Sequence, residues 1–434
     1  MAKFTKPEKS WALYDWGSSA YSIIITTAVF PLFYKAAATD AGVELADSTA
    51  YLSYTIAIFT FILAMLGPLL GTIADYEGMK KKFFTVFFVL GTVSTAMLAF
   101  VPEGQWLWLL ICYVFAALGA TGANLFYDAF IVDVTTEKRM NRVSAFGYGL
   151  GYIGSTIPFA LAILIILLAQ NEVLPLSVTN ASRLAFLITA AWWILFSIPL
   201  FRHVKQKHFI KREANPVVQS FRRLNKTIRE IRQYRALFLF LIAYFFYIDG
   251  VGTIISLSTA YGTDLGLSAT SLLIVLFVTQ VVAAPFAILY GKLADRFTGK
   301  KMLYVGIFVY IIVCVYAVFI ETIMDFWILA MLVATSQGGI QALSRSYFGK
   351  LVPKQNANEF FGFYNIFGKF AAITGPLLVG VTSQITGNSS LGVLSLVVLF
   401  IIGLVVLIFV PEPVPHEPVD EVEKPPTAAG GLYS

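Results

Sequence analysis

The chain has 434 residues, 58% of them hydrophobic and 13% charged, with a mean hydropathy of +0.77 and a formal net charge of +6. Such a composition excludes a water-soluble globular domain and reads as a polytopic membrane protein. The positive balance calls for no nucleic-acid partner, because Lys and Arg gather on one face of a membrane protein by the orientation rule alone. Apolar runs of roughly 18 to 25 residues predict twelve spans. They begin near Trp11, Tyr51, Phe83, Gln105, Arg142, Ser182, Arg235, Ala269, Met302, Asp325, Glu359 and Leu391.

About ten polar residues precede the first run and no small-residue cleavage site follows it, so it reads as a retained helix, with both termini on one side. Of 31 Lys and Arg, all but Lys35, Arg183 and Lys369 fall on that side, the basic face, which the positive-inside rule makes cytoplasmic. Span one carries a polar stripe, Asp15, Ser18, Ser19, Ser22 and Thr26, at helical spacing. After span two comes Gly71-Thr-Ile-Ala-Asp75-Tyr-Glu-Gly78 with three lysines behind it. Span four adds Asn124 and Asp128 on one face beside Tyr127. Asp128 and Asp133 lie near its basic-face end, where pairing with Arg139 or Arg142 is expected.

Phe201 to Arg235 carries eleven Lys and Arg against Glu213 and Glu230. Within it Phe221, Leu224, Ile228 and Ile231 share one helix face and Arg222, Arg223, Lys226, Arg229 and Arg232 occupy the others, a pattern that suits an anionic lipid surface. The expected organisation is 1–201 and 235–410 as two six-helix bundles, 202–234 as a basic linker, and 411–434 as a disordered Pro- and Glu-rich tail.

The second half repeats the first. Gly291-Lys-Leu-Ala-Asp295-Arg296 stands 220 residues after the first loop, and Asp249, Thr253 and Ser256 of span seven match Asp15, Ser19 and Ser22 at a constant offset of 234. Span ten carries Gln337 and Gln341 one turn apart, with Arg345 as a candidate partner for Asp295. Span eleven carries Lys369 about 15 Å in, where burial costs about 2.5 to 3.5 kcal/mol by insertion scales. A lysine there could meet Asp249 of span seven and form a site with opposite charges. Cys112 and Cys314 lie in opposite halves, so no disulfide framework is expected. No Walker pattern, no histidine for a metal or proton relay within the spans, and no nucleophile and base pair is apparent. An enzyme or a resident cofactor is therefore not expected, and coupling to protons would fall to carboxylates.

The two glycine and aspartate loops resemble the signature loop of the major facilitator superfamily, which implies twelve helices in two pseudo-symmetric six-helix bundles. By that resemblance spans one, four, seven and ten line a central cavity, and Asp75 and Asp295 brace a cytoplasmic gate with Arg345 and Arg296 nearby. The run Gly338-Gly-Ile-Gln341 through Arg345 to Pro353, followed by Phe360-Phe-Gly-Phe-Tyr364-Asn365 to Lys369, resembles the vacuole-effluxer branch, as does Trp11-Ala-Leu-Tyr-Asp15-Trp. The branch includes fungal vacuolar amino-acid exporters and bacterial relatives of unassigned substrate, so a secondary transporter of small polar metabolites, amino acids first, is expected; the short loops and termini suggest a bacterial inner-membrane protein, expected to be a monomer. Multidrug or sugar transport on the same fold, lipid scrambling and non-transporting sensing stay open. Gly147-Tyr-Gly149-Leu-Gly151-Tyr-Ile-Gly154 does not complete the glycine and proline signature of drug/proton antiporters.

Overall fold

A computed structural model describes residues 3–211, 216–229, 231–264 and 269–413. The tail from 414 onward, Glu213 and Glu230 lie outside these residues. The described chain is helical throughout its spans, which are Lys6–Asp40, Ala50–Ala74, Met79–Phe100, Trp106–Val134, Glu137–Gln170, Val178–His203, Arg235–Ser258, Ile274–Arg296, Gly299–Phe319, Ile323–Leu351, Lys354–Thr386 and Ser389–Ile408. All twelve predicted runs are present as helices. They are numbered one to twelve below.

Span one starts at a capping box. Glu8 N–H donates to Thr5 Oγ1, and Glu8 Oε2 accepts from Thr5 N–H at 2.7 Å. The same carboxylate pairs with Arg139 at 2.6 Å, which ties the start of the chain to span five. Midway the helix widens to a π-helical stretch over Ser22–Ala28. Five of its seven residues, Ile23 to Thr27, are β-branched and crowd the preceding turn.

The first and last six spans meet mainly through their basic-face ends. Gly71 of span two sits against the backbone of Asn358, so closely that any side chain would collide with it, and Gly67 lies against Gly362. Ser144 Oγ donates to Ala342 O at 2.7 Å and Ser346 Oγ to Asn141 Oδ1 at 3.0 Å, joining span five to span ten. Lys354 pairs with Glu137 at 2.9 Å. At the opposite face the two sets of helices part around a cavity.

The linker straps the basic face. Ile210 exchanges backbone hydrogen bonds with Asp75 and Glu77, and Asp133 accepts from the N–H groups of Lys207 and His208. Asp133 and Asp128 do not pair with Arg139 or Arg142, as the sequence suggested. Asp133 is claimed by Lys80 at 2.6 Å, both side chains being fully buried. Lys80 also donates to Ala129 O, so the pair closes the end of span four.

Candidate substrate cavity between the two halves

A cavity of about 1100 Å³ lies between the halves. It runs from Arg345 and Asp128 to Ala36, Gln170 and Thr179 at the face opposite the basic loops. Of the residues singled out from the sequence, Asp15, Ser19, Ser22, Asn124, Tyr127, Asp128, Ser256, Gln341 and Arg345 line it. The widened stretch of span one contributes Ser22 and Thr27 to its wall, with the Thr27 hydroxyl donating to Ser22 O at 3.0 Å. Irregular helix of this kind recurs at functional sites because it frees backbone groups and re-aims side chains.

The floor is built on Arg345 of span ten, which reaches across into the first six spans. Its Nη2 lies 3.0 Å from Asp15 Oδ2 and its Nη1 3.1 Å from Asp128 Oδ1. Nε donates to Ser144 Oγ at 3.0 Å, and Nη2 also to Ser144 O at 3.2 Å. The rings of Tyr148, Trp11 and Tyr127 lie 4.4, 4.6 and 5.4 Å from the guanidinium carbon. The arginine side chain is 2% exposed, whereas the two aspartates keep 15% and 16%, so the carboxylates and not the cation face the cavity water. A planar fork with five donors can satisfy two carboxylates, a hydroxyl and a backbone carbonyl together, one acceptor more than the three donors of a lysine can serve.

The glycine run of span five makes this approach possible. A Cβ at Gly147 would stand 2.5 Å from Asp15 Oδ2, and one at Gly151 2.6 Å from Ser19 Oγ. Both positions must therefore lack a side chain if span one is to come this close. Ser144 and Tyr148 were not marked as site residues by their sequence; each sits one turn or less from Gly147 on a helix that reads as plain packing.

Several sequence-based assignments need correction. Arg345 does not serve Asp295; it is drawn to Asp15 and Asp128 because span ten faces span five at that level. Asp295 is exposed at the end of span eight, with Lys350 and Arg142 the positive charges acting on it and no ion pair within 4 Å among the described residues. Arg296 is exposed over the ring of Phe297, 5.5 Å away. The Asp249 and Lys369 pair is not formed. Asp249 is 1% exposed and accepts from the Gly375 N–H at 2.8 Å and from Thr253 Oγ1 at 3.4 Å, beside Pro376, which lies inside the span-eleven helix. Lys369 precedes Gly375 by six residues, about 9 Å and 120° around the helix, so it points away from span seven. It is exposed, on one stripe with Ile373 and Leu377. Thr253 and Gln337 border a small apolar pocket inside the last six spans, apart from the main cavity's floor. Tyr364 is buried against Tyr244 and Phe348, and Asn365 bonds back to Phe361 O at 3.0 Å.

At the basic face Asp75 ends span two and receives the start of span eleven. Its Oδ1 accepts from Asn358 N–H at 2.9 Å and from the Asn358 amide at 2.8 Å, and its Oδ2 from Glu359 N–H at 3.3 Å. A carboxylate on the first turn of a helix is favoured by the unpaired N–H groups there. Burial outweighs these donors and pushes the Asp75 carboxyl up to about 7, with Asn358, Lys80 and Arg223 pulling the other way.

The family model described as vacuole effluxer Atg22 like matches residues 44–414. The chain belongs to that family. It is a major facilitator superfamily transporter of the Atg22-like branch. An uncharacterized MFS-type transporter of Bacillus subtilis (strain 168), YxiO, is 71% identical over 412 residues, covering 95% of this chain and 96% of that one. Autophagy-related protein 22 of Eremothecium gossypii is 22% identical, covering 87% and 85% of the two chains. Autophagy-related protein 22-1 of Aspergillus fumigatus is 24% identical over 64% of this chain but only 49% of its own length. Among solved structures, the proton:xylose symporter XylE superposes with a TM-score of 0.68 at 13% identity over 94% of this chain and 96% of that one. A bacterial homologue of the iron transporter ferroportin in its outward-facing state gives 0.64 at 13% identity over 93% and 98%. At these identities the solved structures speak for the fold alone.

Proposed function

We propose that this Atg22-like transporter is a secondary active carrier that moves small polar metabolites, amino acids foremost, by alternating access between bundles 1–201 and 235–410. The observation that carries the reading is the Arg345 cluster at the cavity floor. Two carboxylates share one guanidinium, which leaves one negative charge at a mostly buried cavity floor deep in the membrane, where unpaired charge is costly. A zwitterion leaves that net charge unchanged, but it needs an anionic and a cationic group side by side, and the cluster supplies both. Its ammonium would take a cavity-facing oxygen of Asp15 or Asp128, and its carboxylate would compete for the Arg345 fork. A proton on either aspartate would balance the remaining charge, which supports proton coupling.

The cluster is also a joint between bundles, so a substrate that loosens it would favour the rearrangement that releases it to the other side. Efflux or exchange is the favoured direction, in keeping with the effluxer description of the family. The basic loops and the similar Bacillus protein support a multi-pass bacterial plasma-membrane protein with both termini and the 202–234 linker in the cytoplasm against anionic lipid, and one chain holds the whole cavity, in keeping with a monomer. No resident cofactor enters the scheme.

A thermal-shift panel of amino acids, sugars, nucleosides and drugs on purified protein tests it. Amino acids should stabilise the wild type and leave Arg345→Lys unmoved. Hits confined to hydrophobic cations would overturn the substrate class.

A further inference from the structure

We propose that the linker helix Pro216–Arg229 is a clasp that reads the membrane surface: anionic phospholipid seats the helix, and the seated helix locks the basic-face gate through Arg223. The helix has two opposed faces. Ser220 and Thr227 are buried toward the end of span two, and Arg223 is 20% exposed between them. On the far side Val218, Phe221 and Ile228 are 52%, 55% and 51% exposed, so its apolar face points away from the protein. Arg222, Lys226 and Arg229 are exposed along one flank. A helix that turns apolar residues outward beside a row of cations fits the headgroup and acyl boundary of an anionic leaflet, and the row of like charge selects lipid over an apolar protein partner.

What the helix does on its inner face gives that contact a consequence. The Arg223 Nη2 lies 3.5 Å from Asp75 Oδ2, at the end of span two, and 3.4 Å from Glu359 Oε2, at the start of span eleven. Its guanidinium rests over the Tyr76 ring at 5.6 Å. Glu359 is fully buried, and its Oε1 has no hydrogen-bond partner among the described residues. One cation from a third element thus compensates two buried carboxylates, one from each half. Lifting the helix leaves both buried acidic groups without their shared partner, and water can satisfy them only when spans two and eleven part. Anionic lipid therefore shifts the population toward the conformation closed at the basic face and open at the other.

The test needs no substrate, so its failure is separate from any failure of the substrate assignment. Spin labels at Glu77→Cys and Gln355→Cys, both exposed at the gate, report its opening by pulsed dipolar spectroscopy at pH 7.5. In nanodiscs, replacing half of a phosphatidylcholine bilayer with phosphatidylglycerol should raise the closed-to-open ratio about fivefold, the effect of one surface cation meeting an anionic leaflet. Arg223→Gln should abolish the response. So should the pair Phe221→Ser with Ile228→Ser, which leaves every inward contact in place and so separates loss of seating from loss of fold. A lipid response that survives in either variant, or is absent from the wild type, overturns the clasp. A shift with soluble glycerol phosphate in a phosphatidylcholine bilayer would overturn the leaflet as its partner.

Discussion

Arg345 shows how far single residues could be read. Its charge and span were legible, but its partner was not, because nothing in sequence spacing fixes which helices meet at a given depth. Asp15 and Asp128 were both marked as cavity candidates, and the structure joins them through a cation that had been assigned to Asp295. Asp249 failed in the opposite way. The 234-residue offset equates it with Asp15 in sequence only, and beside Pro376 the Gly375 N–H takes up the carboxylate at 2.8 Å. Removing the shared cation should be costly. Arg345→Gln leaves two carboxylates uncompensated and is expected to lower stability by about 3 to 5 kcal/mol, read as a fall in melting temperature in detergent. Adding Asp15→Asn and Asp128→Asn should restore most of it; no recovery would mean that Arg345 stabilises through packing on Trp11 and Tyr148 instead. Gly147→Ala places a methyl group against Asp15 Oδ2. It should weaken amino-acid binding with less effect on stability than Arg345→Gln, and unchanged binding would count against the close approach of spans one and five.

At the scale of elements, helices were the easiest objects to find, because twenty apolar residues in a membrane have few alternatives. The π-helical stretch of span one was invisible: a run of isoleucine and threonine fits a regular helix as well as a widened one. The linker's apolar face was legible at Phe221, Leu224 and Ile228, whereas Arg223 looked like its basic neighbours. The gate loops divided unequally. Asp75 is buried on the start of span eleven and Asp295 is exposed, a difference that two matching motifs conceal. A pH effect follows from Asp75. Its carboxyl lies near 7 with the basic face closed and would return to about 4 when solvated by opening. The closed form therefore holds a proton that the open form lacks between those values. Closure gains from this proton, fully so below about pH 4, and loses the gain as pH rises through 7. Labelling of a gate cysteine, taken relative to that of an always-exposed cysteine to remove the pH dependence of the thiolate itself, should accordingly slow on acidification from pH 8 to pH 5.5, and Asp75→Asn should flatten the relative profile. A wild-type profile that survives Asp75→Asn assigns the effect elsewhere. The Lys80 and Asp133 pair lies within one half and should act on stability alone. Asp133→Asn is expected to cost about 3 kcal/mol without changing gate accessibility, and a changed accessibility would contradict that division.

The whole molecule was the most legible scale of all. Composition placed it in a membrane, charge asymmetry suggested its orientation, and two loops 220 residues apart announced a duplicated architecture. What sequence could not supply was which stripes face inward together, since a repeat in sequence is not a repeat in environment. The structure concentrates that answer at one place, a floor shared by both halves, where a guanidinium from one reaches two carboxylates from the other. Substrate recognition and the joint between halves are then the same group of atoms. Counterflow of a labelled amino-acid mixture into preloaded proteoliposomes tests this most directly. The wild type should accumulate label. Arg345→Lys and Asp128→Asn, each confirmed folded by thermal unfolding, should lose about thirtyfold or more, as expected when one member of a buried hydrogen-bonded charge pair is removed. Counterflow in both variants at the wild-type rate would contradict the account.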